Sequence, residues 1–73
     1  MENFNQRFGR LMAIKMEQKK ITQYDLSAFC EVAQPSISAY VYGKTSPRLD
    51  VALKICQFLD IQLNEIKWSQ SWA

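Results

Sequence analysis

The side chains that could perform covalent or acid–base chemistry are few in this chain and widely separated. The 73 residues include no histidine and only two cysteines, Cys30 and Cys56. Without an imidazole there is no Ser-His-Asp triad, no Cys-His pair and no Cys₂His₂ zinc site. The cysteines are too far apart for a CxxC motif and too few for a disulfide scaffold, and both fall on apolar helix faces. We therefore predict inert buried thiols, and neither a catalytic centre nor a metal site nor a cofactor.

Length, charge and the length of the apolar runs exclude further classes of protein. The chain is long enough for one domain and close to the lower size limit for a self-sufficient core, about 70–80 residues. Nine Lys and Arg against seven Asp and Glu give a net charge of +2. The longest apolar runs, such as residues 11–14, are far too short for a membrane span, and the N-terminus has no signal-peptide apolar region. We expect a small, soluble, cytoplasmic domain that has no membrane partner and no small-molecule substrate.

The elements that must position the polar side chains are helices. Phe4, Phe8 and Leu11 recur at helical spacing, and they predict a first helix over about residues 3–18. One or more of three further residues extends this apolar face: Met12, Ile14 and Met16.

Two short helices joined by a tight turn follow. Thr22 with Asp25 forms an acidic variant of the capping box and opens a second helix, which ends near residues 31–32. A third helix covers about residues 34–42, with a proline in its first turn, and Gly43 is its expected left-handed stop. Helical spacing predicts four core residues here: Leu26, Val32, Ile37 and Tyr40.

The fourth helix has the strongest apolar stripe in the chain. It follows a loop at residues 44–47 and ends at Asp60, and a last short helix holds Leu63 and Ile66. The tail, residues 68–73, is polar apart from two tryptophans. The stripe of the fourth helix consists of Leu49, Ala52, Leu53, Cys56 and Leu59.

Several spaced motifs resemble one known family. Residues 21–27, ITQYDLS, resemble its L-T-Q-x-x-L-A opening, and residues 32–40, VAQPSISAY, resemble V-S-Q-x-T-I-S-x-[WY]. Gly43, Lys44 and Pro47 match its G-K-x-x-P loop, and residues 61–66, IQLNEI, resemble V-S-L-D-E-L. The sequence is therefore similar to the lambda-repressor-like helix-turn-helix family, which includes the phage Cro and repressor N-terminal domains.

This resemblance implies an all-α fold, a compact bundle of five helices in which helices 2 and 3 form the helix-turn-helix. The domain would span residues 1–67, with residues 68–73 as a tail for dimer or partner contact. The family often has glycine after helix 1, in the turn and after helix 4. Those places hold Lys19 or Lys20, Glu31 and Asp60 here.

The resemblance also implies which side chains meet double-stranded DNA. Gln23 would hold a phosphate, and Gln34 would pair with a base, since an amide can bond adenine N6 and N7 together. Ser36 and Ser38 would bond a base edge or phosphate, and Ala39 would touch a thymine methyl. The remaining members of the implied DNA-binding set are Pro35 beside Gln34 and three backbone contacts, Tyr42, Lys44 and Arg48.

The leading hypothesis is a phage- or mobile-element-type transcriptional regulator of Cro-like or controller-like size. It would bind a pseudo-palindromic operator as a dimer through helix 5 and the tail. The alternative is an antirepressor or co-repressor that binds another regulator through the same face, because residues 32–43 carry no charge and Ala33 provides no cap. Apolar residues at polar family positions favour a dimer or partner interface at Phe29, Val41, Trp68 and Trp72.

Overall fold

A computed structural model describes residues 3–62 of the chain, and this part contains four α-helices and no strands. The helices are α1, Phe4–Lys19; α2, Gln23–Cys30; α3, Gln34–Val41; and α4, Leu49–Leu59. The all-α class and the first four helices are confirmed. The predicted fifth helix and the 68–73 tail lie outside the described residues.

Local polar groups begin the first two helices. The Asn3 side chain accepts from the Gln6 amide at 2.9 Å, and the Asn3 amide donates to Gln6 Oε1 at 3.1 Å. Thr22 and Asp25 make the same reciprocal pair at the start of α2, at 3.1 and 2.9 Å. The predicted acidic capping box is therefore confirmed, and it satisfies backbone donors that a helix start leaves without partners.

Three helices end on a residue in the left-handed region that is not glycine. Lys20 after α1, Glu31 after α2 and Asp60 after α4 all have φ near 57°. Each of them donates its amide back to the preceding helix, as a left-handed cap requires. Gly43, after α3, has φ 72°. The positions where relatives often have glycine therefore do adopt the left-handed conformation here.

The core lies where all four helices meet, and the backbones of α1 and α3 approach each other closely. Gly9 of α1 is buried, and a Cβ built on it would lie 2.4 Å from the Tyr40 carbonyl oxygen and 2.5 Å from that of Val41. Only a residue without a side chain permits this backbone approach. The buried apolar side chains are Phe8, Met12, Met16, Leu26, Cys30, Ile37, Val51, Ala52, Ile55, Cys56, Leu59 and Ile61.

The predicted stripe of α4 is wrong at two positions. Leu49 is 71% exposed and Leu53 is 51% exposed, whereas Val51 and Ile55 are buried in their place. The buried face of α4 is thus rotated toward Val51 and Ile55, and the two leucines lie at its edge.

Smaller corrections concern the predicted core. Met12 and Met16 extend the apolar face of α1, while Ile14 is exposed. Leu26 and Ile37 are fully buried as predicted. Val32 and Tyr40 are only half-buried and pack against the edge of the core.

Candidate nucleic-acid interface

The candidate interface is formed by the N-terminal ends of α2 and α3, which the turn at residues 31–33 holds side by side. Ser27 fixes this turn from α2. Its backbone carbonyl accepts from the Val32 amide at 3.2 Å, and its hydroxyl donates to the Val32 carbonyl oxygen at 2.5 Å. Glu31 reverses the chain with φ 58°, and its amide also donates to the Ser27 carbonyl.

Two glutamines join the helix starts. Gln23 is the first residue of α2 and Gln34 is the first residue of α3. The Gln34 amide nitrogen Nε2 donates to Gln23 Oε1 at 2.6 Å, and both side chains are half-buried. The structure therefore brings together two residues that the sequence separates by eleven positions.

The outer face of α3 carries most of the other predicted side chains. Pro35, Ser38, Ala39 and Tyr42 recur at i, i+3, i+4 and i+7, so they share one stripe of the helix. Pro35 and Tyr42 are exposed, and Ser38 and Ala39 are half-buried, as is Ser36 beside them. This stripe is uncharged and presents hydroxyl, methyl and aromatic groups.

The start of α3 lacks a side-chain cap. Ala33 is the N-cap residue, with extended backbone, and makes no side-chain hydrogen bond to the helix. Pro35 reduces the need for a cap because proline has no N–H. The Ser36 and Ile37 amides both donate to the Ala33 carbonyl, at 2.9 and 3.3 Å. The predicted absence of a cap at α3 is confirmed.

Two exposed basic residues stand past the C-terminal end of α3. Lys44 lies in the loop, and its amide donates to the Ala39 carbonyl at 2.9 Å. Arg48 is the N-cap residue of α4, and its guanidinium forms a bidentate pair with Asp50, with Nη2–Oδ2 at 3.0 Å. This hydrogen bond raises the pKa of Arg48 and lowers the pKa of Asp50.

A cleft of about 390 Å³ lies between the end of α2, the turn that follows it and the start of α4. Cys30 lines it but is almost fully buried, and burial raises the pKa of its thiol. A raised pKa disfavours the reactive thiolate. Among residues 3–62, no group of three or more acidic, cysteine or histidine side chains could hold a metal ion.

The residues predicted for a dimer or partner interface divide into three cases. Phe29 is 41% exposed, and its ring stacks on Phe58 at a centroid distance of 4.4 Å. Val41 is half-buried and packs against the core beside Gly9. Trp68 and Trp72 lie outside the part of the chain that the structure describes.

Sequence reasoning also missed one exposed residue of the interface. Tyr24 follows Gln23 in the first turn of α2 and is 71% exposed. Its phenol is a hydrogen-bond donor at the same helix start. An aromatic residue at a position where a short helix faces solvent was the available signal.

No helix in the described range is long and apolar enough to cross a bilayer.

The chain matches a known protein family. Residues 12–66, three quarters of the chain, match the model of the helix-turn-helix family. The matched range contains all of α2, α3 and α4 and therefore the whole candidate interface. No curated protein and no solved structure matches the chain.

Proposed function

Because the chain belongs to the lambda-repressor and Cro-like helix-turn-helix family of DNA-binding regulators, we propose that it regulates transcription by binding a pseudo-palindromic operator as a dimer. The observation that supports this most directly is the hydrogen bond between Gln23 and Gln34 at the paired starts of α2 and α3. In this family the second helix of the motif enters the major groove, so α3 is the recognition helix.

The glutamine pair suits the reading of an adenine. One N–H of the Gln34 amide is donated to Gln23, which leaves its second N–H and its carbonyl oxygen for a base. Adenine presents an acceptor at N7 and a donor at N6 in the major groove, which matches those two groups. The Gln23 amide N–H groups then bind a phosphate, and the bond between the glutamines limits the orientations that Gln34 can adopt.

The other proposed DNA contacts differ in their chemistry. Ser36 and Ser38 donate to base edges or phosphates, Ala39 packs on a thymine methyl, and Pro35 lies alongside the bases. Phosphate contacts set the register of the protein on DNA, whereas base contacts select the sequence. Further phosphate contacts come from Tyr42, Lys44 and Arg48.

A dimer places two recognition helices one turn of DNA apart, about 34 Å. It also doubles the net charge of +2, which is small for a DNA-binding domain. Leu49 and Leu53 of α4 are exposed and support a self-association surface at that helix. The sequence also assigns Trp68 and Trp72 to the proposed dimer surface.

Titration of genomic fragments at low salt tests the proposal. The protein should prefer a small set of fragments that share a pseudo-palindrome over bulk DNA, and sedimentation should show a dimer at the concentrations that bind. The Gln34→Ala variant should lose this preference and keep its affinity for bulk DNA. Gln18→Ala, which removes an exposed glutamine on α1 outside the candidate interface and the proposed dimer surface, is the matched control. Equal affinity of the wild type for all fragments would contradict the proposal.

A second candidate function keeps the fold and exchanges the partner for another regulator protein. It is favoured by the stacked, partly exposed pair Phe29 and Phe58 and by Tyr42, which is 69% exposed on an uncharged helix. Aromatic side chains of this kind often anchor protein interfaces. Affinity capture from the native host with wild type and Phe29→Ala distinguishes the two. Recovery of one regulator by the wild type alone, together with no preferred DNA fragment, would favour this candidate.

A further inference from the structure

Arg48 differs from the other proposed phosphate contacts because it is already paired with a carboxylate of the same chain. Its Nη2 lies 3.0 Å from Asp50 Oδ2, and its Nε lies 3.4 Å from Asp50 Oδ1. Two parallel bonds of this kind are the geometry in which a guanidinium also binds a phosphate. Both side chains are well exposed, so no packing constraint forces them together.

Asp50 is held in place by a second contact. Its Oδ1 accepts from the Val51 amide at 2.9 Å, in the first turn of α4. A carboxylate is stabilised at this end of a helix by the partial positive charge of the backbone amides. Asp50 therefore stays next to Arg48 without relying on the ion pair alone.

A DNA phosphate and the Asp50 carboxylate draw on the donors of one guanidinium. Asp50 takes the edge formed by Nε and Nη2, which leaves a phosphate the edge formed by Nη1 and Nη2. A phosphate on that second edge shares Nη2 with the carboxylate and lies close to its negative charge, and a phosphate on the first edge must displace the carboxylate. We propose that Asp50 competes with DNA phosphate for the Arg48 guanidinium, and so lowers the affinity of this surface for DNA. The inference rests on the proposed DNA-binding function.

The competition for Arg48 affects DNA affinity because few basic residues follow α3. Residues 32–43 carry no charge, so the phosphate attraction next to α3 depends on the basic residues that follow it, among them Lys44 and Arg48. Loss of one cation from so small a set has a large effect on a binding free energy that is dominated by phosphate contacts. Such contacts do not depend on sequence, so the effect is measurable on any duplex.

The test is a binding titration of the full chain on a mixed-sequence duplex of about 20 base pairs, over salt from about 50 to 200 mM. Asp50→Asn should bind about threefold to tenfold more tightly than wild type at the lowest salt. The slope of its log affinity against log salt concentration should steepen by the equivalent of about one phosphate contact. Asp60→Asn is the matched control, since it removes the same charge at the far end of α4 and asparagine tolerates the left-handed conformation.

Measuring Asp50→Asn in an Arg48→Ala background shows whether Asp50 acts through Arg48. If Asp50 acts through Arg48, Asp50→Asn should change affinity there by no more than Asp60→Asn does. A gain that persists without Arg48, a gain equal to that of Asp60→Asn, or weaker binding by Asp50→Asn would each overturn the inference. Failure of the proposed function has a different signature, namely that wild type prefers no genomic fragment whatever Asp50→Asn does on the mixed duplex.

Discussion

The two ends of α3 are held in place in different ways. Its C-terminal end is pressed against α1, where backbone meets backbone at Gly9, and it ends on Gly43 at φ 72°. Its N-terminal end is joined to α2 through polar groups, namely the Ser27 bonds to Val32 and the bond between the two glutamines. Close packing fixes the end of the helix that lacks the glutamines, and adjustable hydrogen bonds hold the end that carries them.

Within the eight residues of α3, the end that matters most for stability is therefore different from the end that is proposed to recognise DNA. The packed end tolerates almost no change in volume, because protein interiors are close-packed. The polar end keeps two features that cost stability, a left-handed glutamate at residue 31 and an uncapped helix start at Ala33. Substitutions at the packed end should therefore destabilise strongly, and substitutions at the polar end should alter stability less and in either direction.

The largest expected effect is at Gly9. Gly9→Ala places a methyl group 2.4 Å from the Tyr40 carbonyl oxygen, so α1 and α3 must separate. We expect a loss of about 3 kcal/mol in the free energy of unfolding, seen in chemical denaturation. Ala13→Val adds bulk on an exposed position of the same helix and should cost less than about 1 kcal/mol. Equal stabilities of the two variants would show that the contact between the helices is not close.

A medium effect is expected at the turn. Glu31 has φ 58°, a conformation that costs a residue with a Cβ about 1 kcal/mol. Glu31→Gly should therefore raise the free energy of unfolding by about 0.5–1 kcal/mol, measured by thermal or denaturant unfolding. Glu17→Gly, an exposed position inside α1, should instead lower it by about 1 kcal/mol. Destabilisation by both substitutions would contradict the strained turn.

The smallest effect is expected at the start of α3. Ala33→Ser supplies a hydroxyl where no side chain caps the helix. The gain in unfolding free energy should be about 0.5 kcal/mol, since Pro35 already removes one unpaired donor. Ala28→Ser, at an exposed position within α2, is the control and should bring a small loss. If the two serines had the same effect, the start of α3 would not be short of a cap.

Features made by residues close in the chain could be predicted from the sequence. The Thr22 and Asp25 capping box, the left-handed ends at Glu31 and Asp60 and the missing cap at Ala33 depend on residues at most a few positions apart. The spacing of polar groups and of helix starts is enough to find the capping box and the missing cap, whereas the left-handed ends follow from the resemblance to a family that often has glycine at those places. The helix-turn-helix itself follows from several such motifs that agree.

Features made by the packing of distant segments could not be predicted. Periodicity shows that α4 is amphipathic, but its neighbours decide where the buried face is centred, and so Leu49 and Leu53 were misplaced. The contact of Gly9 with Tyr40 and Val41 depends on how α1 crosses α3. Nor does any local pattern predict the stacking of Phe29 on Phe58.

The candidate site shows the same limit. Motif resemblance points to Gln23 and Gln34 separately, but their hydrogen bond exists only because the turn sets the two helix starts side by side. The bidentate pair of Arg48 with Asp50 spans only two positions. Its geometry still depends on rotamers that the sequence does not fix.

The most direct test of the central claim is a double-mutant cycle of Gln23 and Gln34 on a preferred genomic fragment. Affinities of wild type, Gln23→Ala, Gln34→Ala and the double variant would be measured on that site and on versions with single A·T pairs changed to G·C. We predict that one A·T pair is discriminated by about 1–3 kcal/mol in the wild type and by neither variant that lacks Gln34. We also predict that the two glutamines are coupled by at least about 0.5 kcal/mol. Additive effects, or discrimination that survives the loss of Gln34, would contradict the account.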